Sequence, residues 1–350
     1  MRFGVFLVAG RYPGQDDRAA LRRAVDAVVA AEAAGFDDVW IAEHHFMSYG
    51  TCPSAITFAA HALGRTSRIG VGTAVCVLST THPVALAEQV ALLDHVADGR
   101  LRLGVGRGGP WVDLEVFGTG LRRYEHGFAE SLDLLLAGLT RPSIRADGEH
   151  FRFREVTMVP RARSRPPVVV ACTSMATVEV AAARGLPMLL GMHLGDEEKL
   201  GMLDRYATAA RAAGHDPTTV EHVSAVLAHV ADTRAGAVAE LRAAMPGWLA
   251  EGLAGYQPLD GRPRSRRDPA AYTDLLCALH PVGSPDECVA HLRASADRTG
   301  IRHVIMMVEG TGSADRTMAT IARLGAQVLP RLRERGRGGI VSSPAVAGSD

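Results

Sequence analysis

A (β/α)₈ barrel is the fold that this sequence predicts, and three observations predict it. Eight short, nearly continuous apolar runs recur along the chain, as expected of parallel strands buried on both faces. Helical stretches separate most of them, so the alternation is strand, helix, strand. A length of 350 residues with 47% hydrophobic residues is enough to bury one such barrel.

The elements follow in order. Arg2–Ala9 ("RFGVFLVA") is the first strand. Asp17–Gly35 is a helix, with an acidic residue at its start and glycine at its end. Asp38–His44 ("DVWIAEH") is the second strand, Pro53–Gly64 a helix, and Arg68–Leu78 ("RIGVGTAVCVL") the third strand. Pro83 opens the next helix at a favoured first-turn position, and the turn Asp98–Arg100 closes it. Leu101–Gly108 ("LRLGVGRG") is the fourth strand. Pro167–Ser174, Met188–His193, His222–Val230 and His303–Glu309 supply the remaining four.

Two segments interrupt the rhythm. An insertion follows strand four: Trp111–Leu139 reads as helical, and His150–Pro160 alternates like a hairpin strand. A second irregular segment, about Gly252–Pro281, follows strand seven. Its polar middle, Tyr256–Tyr272, carries Arg262, Arg264, Arg266 and Arg267 among Pro and Gly, and predicts a mobile loop that acts as a lid or a plain surface excursion. Residues 1–335 are expected to form a single domain, with 336–350 a disordered tail.

Composition excludes several classes. The formal net charge is zero, and no basic stripe suggests nucleic acid as a partner. The five cysteines are scattered without a CxxC pair, which suggests neither a zinc knuckle nor a disulfide framework. The N-terminus reads as a strand rather than a signal peptide, and no apolar stretch approaches the length of a membrane span. A cytoplasmic location is the expectation.

In barrels of this kind the C-terminal strand ends build the active site. The stretch "WIAEHHF" places Glu43, His44 and His45 where strand two runs out. Neighbouring side chains on a strand point to opposite faces, and no second ligand cluster accompanies the two histidines, so a metal pair is disfavoured. One histidine serves as an acid/base or hydrogen-bonding group, or simply packs in the core. Arg107, Thr173, Ser174 and Thr177 suit a phosphate site, since helix N-terminal N–H groups, hydroxyls and a guanidinium all donate to an anion. Gly106, Gly108 and Gly109 let backbone approach a ligand. The plainer alternative is that Ser174 or Thr173 is a helix cap and the glycines a turn.

With those residues in view, the chain resembles the bacterial luciferase family of flavin-dependent monooxygenases, and the luciferase alpha subunit in particular. The resemblance runs from about Met1 to Arg335. It rests on "RFGVFL", "GFDDVWIAEHHF", "VGTAVCVLSTTHPVALAEQVALLDHVADGR", "RLGVGRG", "HPVGSPDECV" and "TGIRHVIMMVEGTG" taken together. It implies a TIM barrel with an insertion and a mobile loop after strand seven. It also implies an enzyme that binds reduced FMN from a separate flavin reductase and adds O₂ to form a flavin C4a-peroxide. That species oxygenates a small organic substrate, and in luciferases the reaction emits light. His44 matches the family's catalytic histidine. Arg107, Ser174 and Thr177 match phosphate-holding positions, Thr173 a further contact, and Ala74–Val75 a non-prolyl cis peptide under the flavin.

Three departures accompany the match. Gly106 replaces a reactive cysteine, Glu125 stands where a second phosphate-binding arginine is found, with Arg122 or Arg123 as stand-ins, and Met192 replaces a tryptophan. An aldehyde and a secondary-metabolism substrate such as an aromatic polyketide are therefore both expected classes. The alternatives are an F420-dependent oxidoreductase and a non-catalytic flavin-binding subunit. The family pairs subunits through the helices after strands two and three. Here "ITFAAHALG" and "VALAEQVALLDHVA" are apolar enough to make a homodimer.

Overall fold

The computed structural model describes residues 1–164, 166–262 and 267–333. Among them eight parallel strands close into a TIM barrel: β1 (Arg2–Leu7), β2 (Asp38–Ile41), β3 (Gly70–Thr73), β4 (Leu101–Gly106), β5 (Val168–Cys172), β6 (Met188–Leu190), β7 (Val223–Leu227) and β8 (His303–Met307). Sequential neighbours pair around the ring. The seam closes where Phe6 of β1 lies opposite Met307 of β8 on one side and Trp40 of β2 on the other. Every residue of β2, β3, β7 and β8 is buried, which is why these strands read as unbroken apolar runs.

Trp40 fills the barrel interior because Gly72 leaves room for it: a Cβ at Gly72 would lie 2.4 Å from the indole. The indole Nε1 donates to Asp38 (2.8 Å), and that buried carboxylate also meets Arg2 (2.9 Å) and His303 (3.0 Å). This polar plug occupies the floor of the barrel, opposite the mouth.

The third strand is shorter than the sequence suggests. It stops at Thr73, passes through a cis peptide between Ala74 and Val75, and resumes as Cys76–Val77 against Val105 and Gly106. The second strand likewise ends at Ile41, so Glu43, His44 and His45 lie in the loop beyond it.

The insertion after β4 holds helices Asp113–Val116, Gly120–His126 and Phe128–Thr140, then an antiparallel hairpin of Ser143–Asp147 with Arg152–Thr157. After β7 a long helix, Arg234–Leu253, leads to the mouth. The segment expected to run irregularly to Pro281 contains a further helix, Pro269–Leu279. Its signal is local: Asp268 caps the N–H of Ala271 (2.8 Å), and Pro269 takes the first helical position. Arg264, Arg266 and the expected tail 336–350 lie outside the described residues. No described helix is long and apolar enough to cross a membrane.

Candidate active site

Glu43 is a brace. Its Oε1 accepts the N–H of Val77 (3.0 Å) and its Oε2 that of Ala55 (2.9 Å). One carboxylate thus ties the loop after β2 to the chain beyond β3 and to the N-terminus of helix Ala55–Arg65, where a negative charge is favoured.

That brace fixes His44. Its backbone N–H donates to Cys52 O (2.9 Å), and its ring stands edge-on to Tyr49 with centroids 5.0 Å apart. Gly50 gives the ring its space: a Cβ there would lie 2.5 Å from Nδ1. Nδ1 is buried with no hydrogen-bond partner. The ring borders a cavity yet is screened from bulk water. Burial, helped by His45, pushes its pKa down to about 4. His44 is therefore neutral at physiological pH and able to accept or donate one proton according to tautomer. An NMR titration is expected to show its imidazole neutral from pH 8 down to pH 5, about one unit above a pKa of about 4. Protonation near pH 6.5 would refute the assignment.

The two histidines diverge beyond the strand. His45 faces Glu43 at 3.8 Å and packs edge-on against Phe117, centroids 5.0 Å apart. Among the described residues no group of three or more His, Cys, Asp or Glu side chains is placed to hold a metal ion.

The mouth has two connected lobes that share His44, Ala74, Val75 and Tyr256. The inner lobe, about 240 Å³, lies over the barrel axis between Phe6, Val8, Ala171, Thr173, Met192 and Tyr272. The outer lobe, about 290 Å³, lies between His45, Met47, Trp111, Asp113 and the shared residues. Gly106 packs behind Val75, one of the shared residues, and a Cβ there would come within 2.7 Å of it. A cysteine there would displace Val75, so the glycine and the cis segment fit one another.

Arg107 leaves β4 next to the end of β5, since Val105 pairs with Val170. Its guanidinium lies 4.6 Å from the ring centroid of Tyr124. Thr173 is exposed at the end of β5. Ser174 caps helix Met175–Ala182 in a reciprocal box with Thr177: the Thr177 N–H reaches Ser174 Oγ (3.4 Å), and the Ser174 N–H reaches Thr177 Oγ1 (3.3 Å). The plain capping role of Ser174 is therefore present. The same geometry orders a helix N-terminus and two hydroxyls on the strand end adjacent to Arg107.

The suggested stand-ins for a second arginine are committed elsewhere. Arg123 donates to the carbonyls of Leu78 (3.1 Å) and Thr81 (2.5 Å) over the ring of Phe151, and Arg122 pairs with Glu149 (2.8 Å) on the surface.

Sequence reasoning missed the aromatic lining and Asp113. Tyr49 on the inner lobe is backed by buried Trp248 and Tyr12, stacked in series at 4.8 and 5.2 Å between centroids, and Trp111 meets Tyr256 at 4.7 Å on the outer lobe. Aromatic residues are only 5% of the chain, so their gathering at strand ends and in the two irregular segments was the available signal. Asp113 opens a short helix between apolar residues and looks in sequence like an ordinary first-turn acid.

Comparison with known proteins places the chain among relatives of one family. The sequence model of luciferase-like monooxygenases matches residues 1–303. The alkanal monooxygenase alpha chain of the Kryptophanaron alfredi symbiont is 31% identical over 354 residues, covering 96% of this chain and 99% of that one. The alpha chain from Photorhabdus luminescens is 32% identical over 357 residues, with 96% and 99% covered. Among solved structures, a monooxygenase from Streptomyces bottropensis superposes with a TM-score of 0.82 at 25% identity, covering 95% of this chain and 100% of that one.

Proposed function

Because the chain belongs to the luciferase-like monooxygenase family, we propose that it is a monooxygenase that takes reduced FMN and O₂ and oxygenates a small organic substrate, an aldehyde or a secondary-metabolism intermediate. The observation that carries this reading is the His44 ring, neutral and bordering both cavity lobes, with a buried Nδ1 that finds no partner in the protein. Reduced flavin, when bound, supplies the two electrons that let O₂ deliver one oxygen atom to substrate and release the other as water.

The residues present fit that cofactor. Arg107, Ser174, Thr177 and Thr173 offer a guanidinium, hydroxyls and a helix N-terminus to a phosphate. Ala74 and Val75 offer a surface for the ring, and Gly106 lets Val75 lie there, since a Cβ at position 106 would press on it. His44 holds or moves one proton on its imidazole, and Glu43 keeps its loop in place. Trp111 and Tyr256 cover the outer lobe, and Leu259 N–H donating to Pro110 O (2.8 Å) pins that cover, which keeps water out. A separate flavin reductase supplies the reduced cofactor. Leu92 and Val96, exposed on helix Pro83–Val96 at 54% and 68%, support association as a homodimer.

The deciding experiment supplies reduced FMN or reduced F420 with ¹⁸O₂ and candidate substrates. Label entering product with FMN supports the proposal. Substrate reduction or oxidation without label, driven by F420, replaces it with an F420-dependent oxidoreductase. Flavin binding with no turnover of any kind replaces it with a non-catalytic subunit.

One prediction follows for the phosphate. Arg107→Ala is expected to weaken reduced FMN by about 2–3 kcal/mol, the scale of a charge-assisted hydrogen bond. Reduced riboflavin, which lacks the phosphate, is expected to bind variant and wild type alike. Equal losses for both ligands, measured by anaerobic titration, would move Arg107 away from the phosphate.

A further inference from the structure

We propose that the outer lobe receives a neutral, hydroxylated aromatic substrate of about two fused rings, and that the Asp113 carboxyl accepts the hydrogen bond of its hydroxyl. The inference rests on the monooxygenase reading above. Thr173, on the phosphate side, borders the inner lobe and not the outer, so the outer lobe is the space left for a substrate.

Asp113 is 7% exposed and borders the outer lobe. Its Oδ1 accepts the N–H of the next residue, Leu114 (3.0 Å), and no other side chain of the described residues bonds its carboxylate. A buried carboxyl left with lone pairs over a cavity calls for a donor from the ligand. Burial raises its pKa, partly offset by His45, as the apolar walls around it require.

Those walls define the shape of the ligand. Trp111 and Tyr256 form one side, with the indole resting on Gly109, where a Cβ would lie 2.0 Å from its Nε1. Aromatic faces favour a flat ring. The lobe of about 290 Å³ is nearly twice the ~150 Å³ cavity that accepts a single benzene ring, so two fused rings fit.

Charge narrows the class further. The ionisable side chains among the described lining residues are Glu43, Asp113, His44, His45 and Tyr256, whose phenol burial keeps protonated, with no lysine or arginine. Glu43 is already bonded to two N–H groups, and His44 is neutral. A carboxylate or sulfonate on the substrate would meet Asp113 with no cation among the described lining residues to offset it. A plain alkyl chain would bury the Asp113 carboxyl with nothing to bond.

The test is calorimetric titration of the flavin-free full chain with 2-naphthol, 2-methoxynaphthalene and 2-naphthoate. Wild type is expected to bind 2-naphthol about tenfold more tightly than the methyl ether, which lacks the donor, since one hydrogen bond supplies about that factor. It is expected to discriminate against 2-naphthoate by at least as much. Asp113→Leu abolishes the preference for naphthol over its ether. Asp113→Asn keeps an acceptor oxygen and so keeps that preference, but it admits 2-naphthoate. Unchanged FMN binding and thermal midpoint in both variants verify folding. The proposal is overturned if naphthoate matches naphthol in wild type, if Asp113→Leu keeps the preference, or if no naphthyl probe binds. Because no flavin is present, naphthol binding together with absent ¹⁸O incorporation would sink the monooxygenase reading and leave the lobe assignment standing.

Discussion

His44→Ala is expected to bind reduced FMN nearly as wild type does, and to form oxygenated product at least ~10²-fold more slowly, within the range for losing a positioned acid or base. The expectation rests on what His44 does not do. Its Nδ1 has no partner in the protein, so the ring is not held there as a structural hydrogen-bonding group. Its ring contact with Tyr49 is a packing contact that alanine gives up without leaving a buried charge. His45→Ala is expected to be milder, because that ring leans on Phe117 at the rim. Single-turnover product yield at fixed reduced FMN separates these outcomes. Near wild-type yield from His44→Ala would remove the residue from the chemistry, and a parallel fall in FMN affinity would make it a binding residue instead.

The largest stability loss is expected at Glu309→Ala, behind the wall of the inner lobe. Glu309 follows β8, and its Oε2 accepts the N–H groups of Val8 (2.7 Å) and Ala9 (3.0 Å) at the end of β1. Ala9 needs that hold, since its φ of 52° is left-handed for a residue with a Cβ. Oε1 meets Arg23 Nε at 3.3 Å, and both side chains are 2% exposed. Arg23 also donates to the carbonyls of Gly10 and Gly312. Removing the carboxylate leaves a buried guanidinium without its counter-charge and two N–H groups without an acceptor. Breaking such a pair from one side costs about 3–5 kcal/mol. Glu309→Gln is expected to lose less, because one amide oxygen still serves the N–H groups. Urea unfolding midpoints decide the matter. A loss below ~1 kcal/mol for the alanine variant would show that water replaces the carboxylate.

These residues mark where sequence reasoning reached and where it stopped. The barrel was legible because burial on both faces writes each strand as an apolar run, and Asp38–Ile41 or His303–Met307 needs no partner to be recognised. The cap at Ser174 was legible for the same reason, since its partner Thr177 is one turn away. Arg23 was not. In a helix it reads as a solvent-facing residue, and the group that lets it be buried lies in β8's loop at the other end of the chain. Glu43 looked like a third active-site ioniser, but it braces three segments that only the closed barrel brings together. The helix Pro269–Leu279 was overlooked because the Pro, Gly and Arg before it dominate the local composition. Asp113 acquires its interest from a cavity, and a cavity has no linear signature.

The bridge between Trp111 and Pro258, with Leu259 bonded to Pro110, joins a loop after β4 to a loop after β7. Neither loop can therefore vary in length on its own. In a recombination library, a crossover between β4 and β7 would inherit the two halves of this roof from different parents. Such chimeras are expected to fold, because the strands beneath are untouched, and to lose product yield unless both halves descend from the same parent. The unit of inheritance for this activity is then a pair of distant loops rather than a contiguous stretch of chain.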